Sequence, residues 1–120
     1  MANARSEDLI VARFLLVRHG ESKVMVDGVV GGPKTCSGLS DRGRAQAERL
    51  GSRLASGSET SIEIAYTSPL PRAVETTEIV LSSGSLNLEI NVHPDLEEFR
   101  LGEADGLTWE EVRTKYDLGN

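Results

Sequence analysis

Residues Phe14 to Ser22 read FLLVRHGES, an apolar run that ends in an arginine, a histidine and a glycine. The chain has only two histidines, so one set at the end of such a run draws chemical interest. Two later stretches supply groups of matching chemistry: TSPLPR, which ends in Arg72, and DLEEFRLGEADG, which carries Glu97 and Glu98. An arginine fork neutralises phosphate oxygens through paired charge-assisted hydrogen bonds. The imidazole of His19 could attack phosphorus and carry the group covalently, provided its other ring nitrogen gives a proton to a backbone carbonyl. A carboxylic acid beside the phosphate could then protonate the leaving alkoxide. Arg18, His19, Arg72 and one of the two glutamates thus suit phosphoryl transfer on a small phosphorylated substrate, with no metal or cofactor.

These groups need elements to hold them. RFLLV reads as a short buried strand, with Arg18 and His19 just past its end. Residues 22–39 are rich in glycine and weakly periodic, so they read as a long loop of the kind that is usually functional. Ser40 can cap a helix running to about Ala55, with Ala47, Leu50 and Leu54 on one face. GSETS is a turn and IEIAYTS a second strand. Pro69 and Pro71 fit only the first turn of a helix, which places Arg72 at its start and Ala73, Thr77, Val80 and Leu81 on its inner face. LEINV alternates like a third strand. Thr108 and Glu111 form a capping box that opens a last helix, with Trp109 and Val112 as core contacts. Strand and helix alternate three times, which predicts an α/β fold with a parallel sheet. Ligands of such sheets bind beyond the carboxyl ends of the strands, where Arg18, His19, Arg72 and the glutamates all fall.

With 120 residues, the chain has the length of one domain, 1–120, around one core. Its 38% hydrophobic and 27% charged residues describe a folded, water-soluble protein. The net charge of −6 argues against nucleic acid as partner and makes an anionic substrate unwelcome unless basic groups are concentrated locally. No stretch has the length of a membrane span or a secretory leader, so a cytoplasmic location is expected, with no membrane partner. Cys36 is single, which excludes an internal disulfide and a thiolate metal cluster.

LLVRHGES resembles the opening motif of the histidine phosphatase superfamily, which includes the phosphoglycerate mutases. GLSDRGRAQA, TSPLPRAVETT and LEEFRLGEADG are similar, in the right order, to three further segments of that family, and the resemblance runs from Phe14 to Trp109. It implies a three-layer α/β/α architecture with a mostly parallel sheet, phosphoglycerate mutase-like but without its C-terminal part. It implies that His19 is the phosphorylated nucleophile, that Arg18 and Arg72 bind the phosphoryl group, and that Glu98 rather than Glu97 is the proton donor. Met25 stands where many members carry an asparagine that touches phosphate. A second active-site histidine, late in the family's sequence, has no counterpart up to Asn120, and His93, ahead of the acid segment, does not fill its role. His93 reads instead as an ordinary strand residue.

The expected activity is that of a phosphomonoester hydrolase working through a phosphohistidine. A mutase, which returns the group to another hydroxyl of its substrate, and a phosphate-binding member without catalysis are the alternatives. An unpaired parallel strand edge would also invite a homodimer. One further stretch, GVVGGPKT, resembles a nucleotide-binding loop, but Pro33 removes an N–H that such a loop needs, and no strand leads into it. Lys34 on this loop could still reach a substrate.

Overall fold

The computed structural model describes residues 12–57, 61–98, 100 and 102–116. The expected lead-in over residues 1–11 and most of the GSETS turn lie outside them. Four α-helices and two strands follow in the order α1 (Lys23–Val26), α2 (Asp41–Ala55), β1 (Ala65–Thr67), α3 (Pro71–Ser83), β2 (Ile90–Val92) and α4 (Trp109–Tyr116). Single 3-10 turns at Pro94–Leu96 and Gly102–Ala104 link β2 to α4. The two strands run parallel, with Ala65 opposite Ile90 and Thr67 opposite Val92. The fold is α/β with parallel strands. No described helix is long and apolar enough to cross a membrane.

The helices start where local chemistry tells them to. Ser40 caps α2, its side chain accepting from the Gly43 N–H, with Asp41 in the first turn and Arg53 in the last to complement the helix dipole. α3 starts at Pro71, whose missing N–H costs nothing there. At α4, Thr108 Oγ1 accepts from the Glu111 N–H (3.1 Å) while Glu111 Oε1 accepts from the Thr108 N–H (3.4 Å), which closes the capping box.

The segment expected as a first strand is different. Residues 13–17 join no ladder among the described residues, and Phe14 and Leu16 are 86% and 90% exposed. A strand apolar on both faces is stable only between neighbouring strands and beneath helices. β1 has β2 on one side, and no described strand takes the other. The β1–β2 ladder itself is three residue pairs long.

The 22–39 stretch is more structured than a loop. Ser22, fully buried, caps α1 and bridges to Leu39, while Val29 bridges to Thr108. Val30, Ala104 and Val112 form a small core with Leu107 packed against it, so the last helix is fastened to this stretch. Trp109, expected in the core, is 46% exposed, and Val112 takes the inward position.

α2 and α3 pack backbone to backbone. A β-carbon on Gly51 would stand 2.6 Å from the Val80 carbonyl oxygen and 2.7 Å from Ser83 Cβ. The buried positions of α2 are therefore Gly43, Ala47 and Gly51, with the expected Leu50 and Leu54 only half-buried. On α3 the buried set is Arg72, Thr76, Val80 and Leu81, so the first two turns face inward one residue earlier than Ala73 and Thr77 would place them.

Gly51→Ala tests this contact. Overpacking costs about 1–3 kcal/mol, and the helix-propensity gain of alanine over glycine offsets up to about 1. A net loss of about 1–2 kcal/mol in urea unfolding is expected, with the exposed Ser52→Ala unchanged as control. An equal or higher midpoint for Gly51→Ala would show that the helices are free to separate.

Candidate active site

Gly20 is the centre of the site's construction. Its N–H donates to Thr76 Oγ1 on α3 (3.1 Å), and that hydroxyl donates in turn to the Arg72 carbonyl (2.7 Å). A β-carbon at Gly20 would stand 2.5 Å from the carbonyl oxygen of Gly43 on α2. The turn after residues 13–17 is thereby held against both long helices.

His19 is half-buried, and its Nδ1 lies 2.7 Å from the Gly20 carbonyl oxygen. A carbonyl only accepts, so Nδ1 carries the proton and, in the neutral ring, Nε2 keeps its lone pair. The sequence calls for a backbone carbonyl to hold one ring nitrogen and leaves open which nitrogen; here it is Nδ1.

Arg72 is 8% exposed and its Nη1 donates to the Gly31 carbonyl (2.5 Å). A guanidinium has five N–H donors, so the remaining ones stay available to an anion. Leu70, the N-cap of α3, makes no side-chain cap bond. Pro71 has no N–H and the Ala73 and Val74 N–H groups donate to the Leu70 carbonyl (2.9 and 3.0 Å), which leaves the Arg72 N–H as the donor of this first turn without a described partner.

The structure joins His19 and Arg72 through Gly20 and Thr76. It provides no such link for the other two candidates: Arg18 and Glu98 are exposed and have no hydrogen-bond or ion-pair partner among the described residues. Glu97 differs from its neighbour. Its side chain is only 7% exposed and accepts from Arg100 Nε (3.1 Å) and Nη2 (3.3 Å). His93 lies past β2, exposed, with Nδ1 accepting from the Asp95 N–H to cap the following 3-10 turn, so it is a capping residue rather than a strand residue. Met25 is half exposed on α1, and Cys36 is a buried free thiol. Among the described residues no group of three or more His, Cys, Asp or Glu side chains could share a metal ion.

Three supporting residues escaped the sequence reading. Thr76 follows Arg72 by one helical turn, a spacing that would have placed both on one face. Glu75 accepts from the Leu39 N–H (2.6 Å) and from Arg44 Nε (3.2 Å), and so ties the end of the 22–39 stretch to α2 and α3. Partial burial pushes its pKa up, but the Leu39 N–H and the Arg44 guanidinium, aided by Lys23, outweigh it and hold the carboxyl below its usual value. Asp105 accepts from the Gly32 N–H (3.0 Å), the Lys34 N–H (2.8 Å) and the Thr35 hydroxyl. Burial opposes ionisation there too, and the hydroxyl and loop N–H groups again win, lowering its pKa. The Gly31–Thr35 loop thus turns its donors inward, and no sequence signal paired it with a carboxylate seventy positions away.

Comparison with known proteins fits this arrangement. The profile of the histidine phosphatase superfamily (branch 1) matches residues 14–118. The chain is 37% identical over 107 residues to phosphoglycerate mutase-like protein 4 of Arabidopsis thaliana, covering 89% of this chain and 45% of that one. It is 36% identical over 106 residues to the 2,3-bisphosphoglycerate-dependent phosphoglycerate mutase of Bartonella henselae, covering 86% and 50%. Among solved structures, a mycobacterial glucosyl-3-phosphoglycerate phosphatase superposes with a TM-score of 0.66 at 26% identity, over 81% of this chain and 44% of that one. The chain belongs to the histidine phosphatase superfamily, with phosphatases and phosphoglycerate mutases both among its relatives and a phosphoglycerate mutase-like fold. It spans about half the length of the curated relatives it matches.

Two measurements probe the scaffold. Thr76→Val leaves the buried Gly20 N–H without an acceptor and is expected to cost about 1–3 kcal/mol in urea unfolding; an unchanged midpoint would remove Thr76 from the construction. Glu75, with its folded pKa depressed, contributes stability that is present above its unfolded value near ~4.3 and lost as pH falls through the folded value. Unfolding midpoints from pH 7 to 3 should therefore fall less steeply in Glu75→Gln than in the parent chain, and parallel curves would count against the ion pair.

Proposed function

We propose that the chain acts on phosphate monoesters as a hydrolase, through a phosphohistidine at His19. The observation that carries this reading is the Nδ1–H bond to the Gly20 carbonyl, which leaves Nε2 as the nucleophile. Nε2 attacks phosphorus as the P–O bond to the alcohol breaks, and the carboxylic acid of Glu98 gives its proton to the departing oxygen. Water then attacks the phosphohistidine, the Glu98 carboxylate takes the water's proton, and the P–N bond breaks to release inorganic phosphate. Arg18 and Arg72 neutralise the phosphoryl oxygens, with the Arg72 N–H in the first turn of α3 as a further donor. The choice of Glu98 over Glu97 is supported by their surroundings: Glu97 is taken up by Arg100, while Glu98 is exposed and has no partner among the described residues. A mutase shares the first half of this sequence and differs only in the acceptor, a second substrate hydroxyl in place of water.

A second reading is phosphate binding without turnover. It is favoured by the absence of any described contact that brings Arg18 and Glu98 toward His19.

Hydrolysis of para-nitrophenyl phosphate by the purified chain, without added metal, separates the two. Turnover is expected that falls to background in His19→Ala. With an alkyl phosphate, whose leaving alkoxide needs the proton, Glu98→Gln is expected to lose about 10²–10⁴-fold, the usual contribution of a general acid, and to lose less with the para-nitrophenyl ester. A folded chain that binds orthovanadate yet turns nothing over would favour the binding reading, and turnover retained in His19→Ala would overturn the phosphohistidine.

A further inference from the structure

The Gly31–Thr35 loop has the form of an anion cradle: the N–H groups of Gly32 and Lys34 and the Thr35 hydroxyl converge on one place. The anion there is the chain's own. Asp105 accepts from Gly32 with Oδ1 and from Lys34 with Oδ2, so both carboxylate oxygens are committed. This loop is therefore closed to a substrate phosphate, despite its likeness to a nucleotide-binding loop. Its outward product is a single group, the Gly31 carbonyl, which adjoins the clasped residues and receives Arg72 Nη1 at 2.5 Å.

We infer that Asp105 is a positioning residue for Arg72: by filling the cradle it fixes the Gly31 carbonyl, and that carbonyl sets the direction of the guanidinium. This rests on the reading of Arg72 as a phosphate-binding group. Arg72 is too long a side chain to hold one pose by packing alone, and a bidentate phosphate contact requires the plane of the fork to be set in advance. The clasp is also separable from the fold. Val30 is tied independently to the last segment, its N–H donating to the Leu107 carbonyl (2.8 Å) and its carbonyl accepting from the Gly106 N–H (2.9 Å). The small core of Val30, Ala104 and Val112 lies beneath these bonds. Removing the charge at position 105 should loosen the loop without releasing the helix behind it.

The test is a double-mutant cycle read by calorimetric binding of orthovanadate. Its four proteins are the parent chain, Asp105→Asn, Arg72→Lys and the pair. Asparagine keeps the shape but turns an NH₂ toward one of the two loop N–H groups, and lysine keeps the charge of Arg72 but has no fork to orient. Asp105→Asn is expected to weaken binding roughly tenfold in the parent, as a lost charge-assisted bond would, and to have no further effect beside Arg72→Lys. Equal weakening in both backgrounds, or none in the parent, would overturn the inference, because a merely structural Asp105 acts regardless of Arg72. If Asp105→Asn loses its cooperative melt, Thr35→Val removes one donor, keeps the carboxylate and runs the same cycle. Unchanged binding in Arg72→Lys alone, or no binding by the parent, would instead overturn the phosphate site on which the inference stands.

Discussion

One residue without a side chain governs the site. Gly20 donates its N–H to Thr76, receives Nδ1 of His19 on its carbonyl and sets its α-carbon against the Gly43 backbone. Each of these contacts fixes a different part of the chemistry: the first the distance to α3 and Arg72, the second the tautomer of the histidine, the third the position of α2. A β-carbon would break the third and displace the other two. The motif Arg-His-Gly is therefore a steric statement as much as a chemical one.

A second tier of contacts steadies the surroundings. Glu75 and Asp105 are both carboxylates partly removed from water and held ionised by donors around them, and each joins a stretch of irregular chain to a helix or to the last segment. Glu75 gathers Leu39 and Arg44; Asp105 gathers residues 32 to 35. Irregular backbone cannot satisfy its own N–H groups as a helix does, and a buried carboxylate that accepts several of them does so with charge-assisted strength. In this way a glycine-rich stretch with little hydrophobic periodicity still takes a defined course around Arg72.

The described residues also leave apolar side chains uncovered. Phe14, Leu16, Ile64 and Tyr66 are exposed, the last of them on β1 of the two-stranded described sheet. Apolar side chains on a strand gain stability only where sheet neighbours or helices cover them. The Gly20 turn is held by α2 and α3 rather than by the sheet, so it is fixed although residues 13–17 join no described ladder.

What the sequence alone determined is local. Ser40, Pro71 and the Thr108–Glu111 box mark the helices because capping acts within one turn, and four ordered segments identify the family because each carries its own residue pattern. The need for a backbone acceptor at His19 was legible too, but which ring nitrogen meets it, and that the carbonyl is Gly20's, came from the structure. The tertiary structure decided everything that depends on a distant partner. It turned α3 by one position so that Thr76 meets Gly20, and sent the donors of the Gly31–Thr35 loop to Asp105. It also left residues 13–17 outside any described ladder, because a strand, unlike a helix, finds its hydrogen bonds only in another segment.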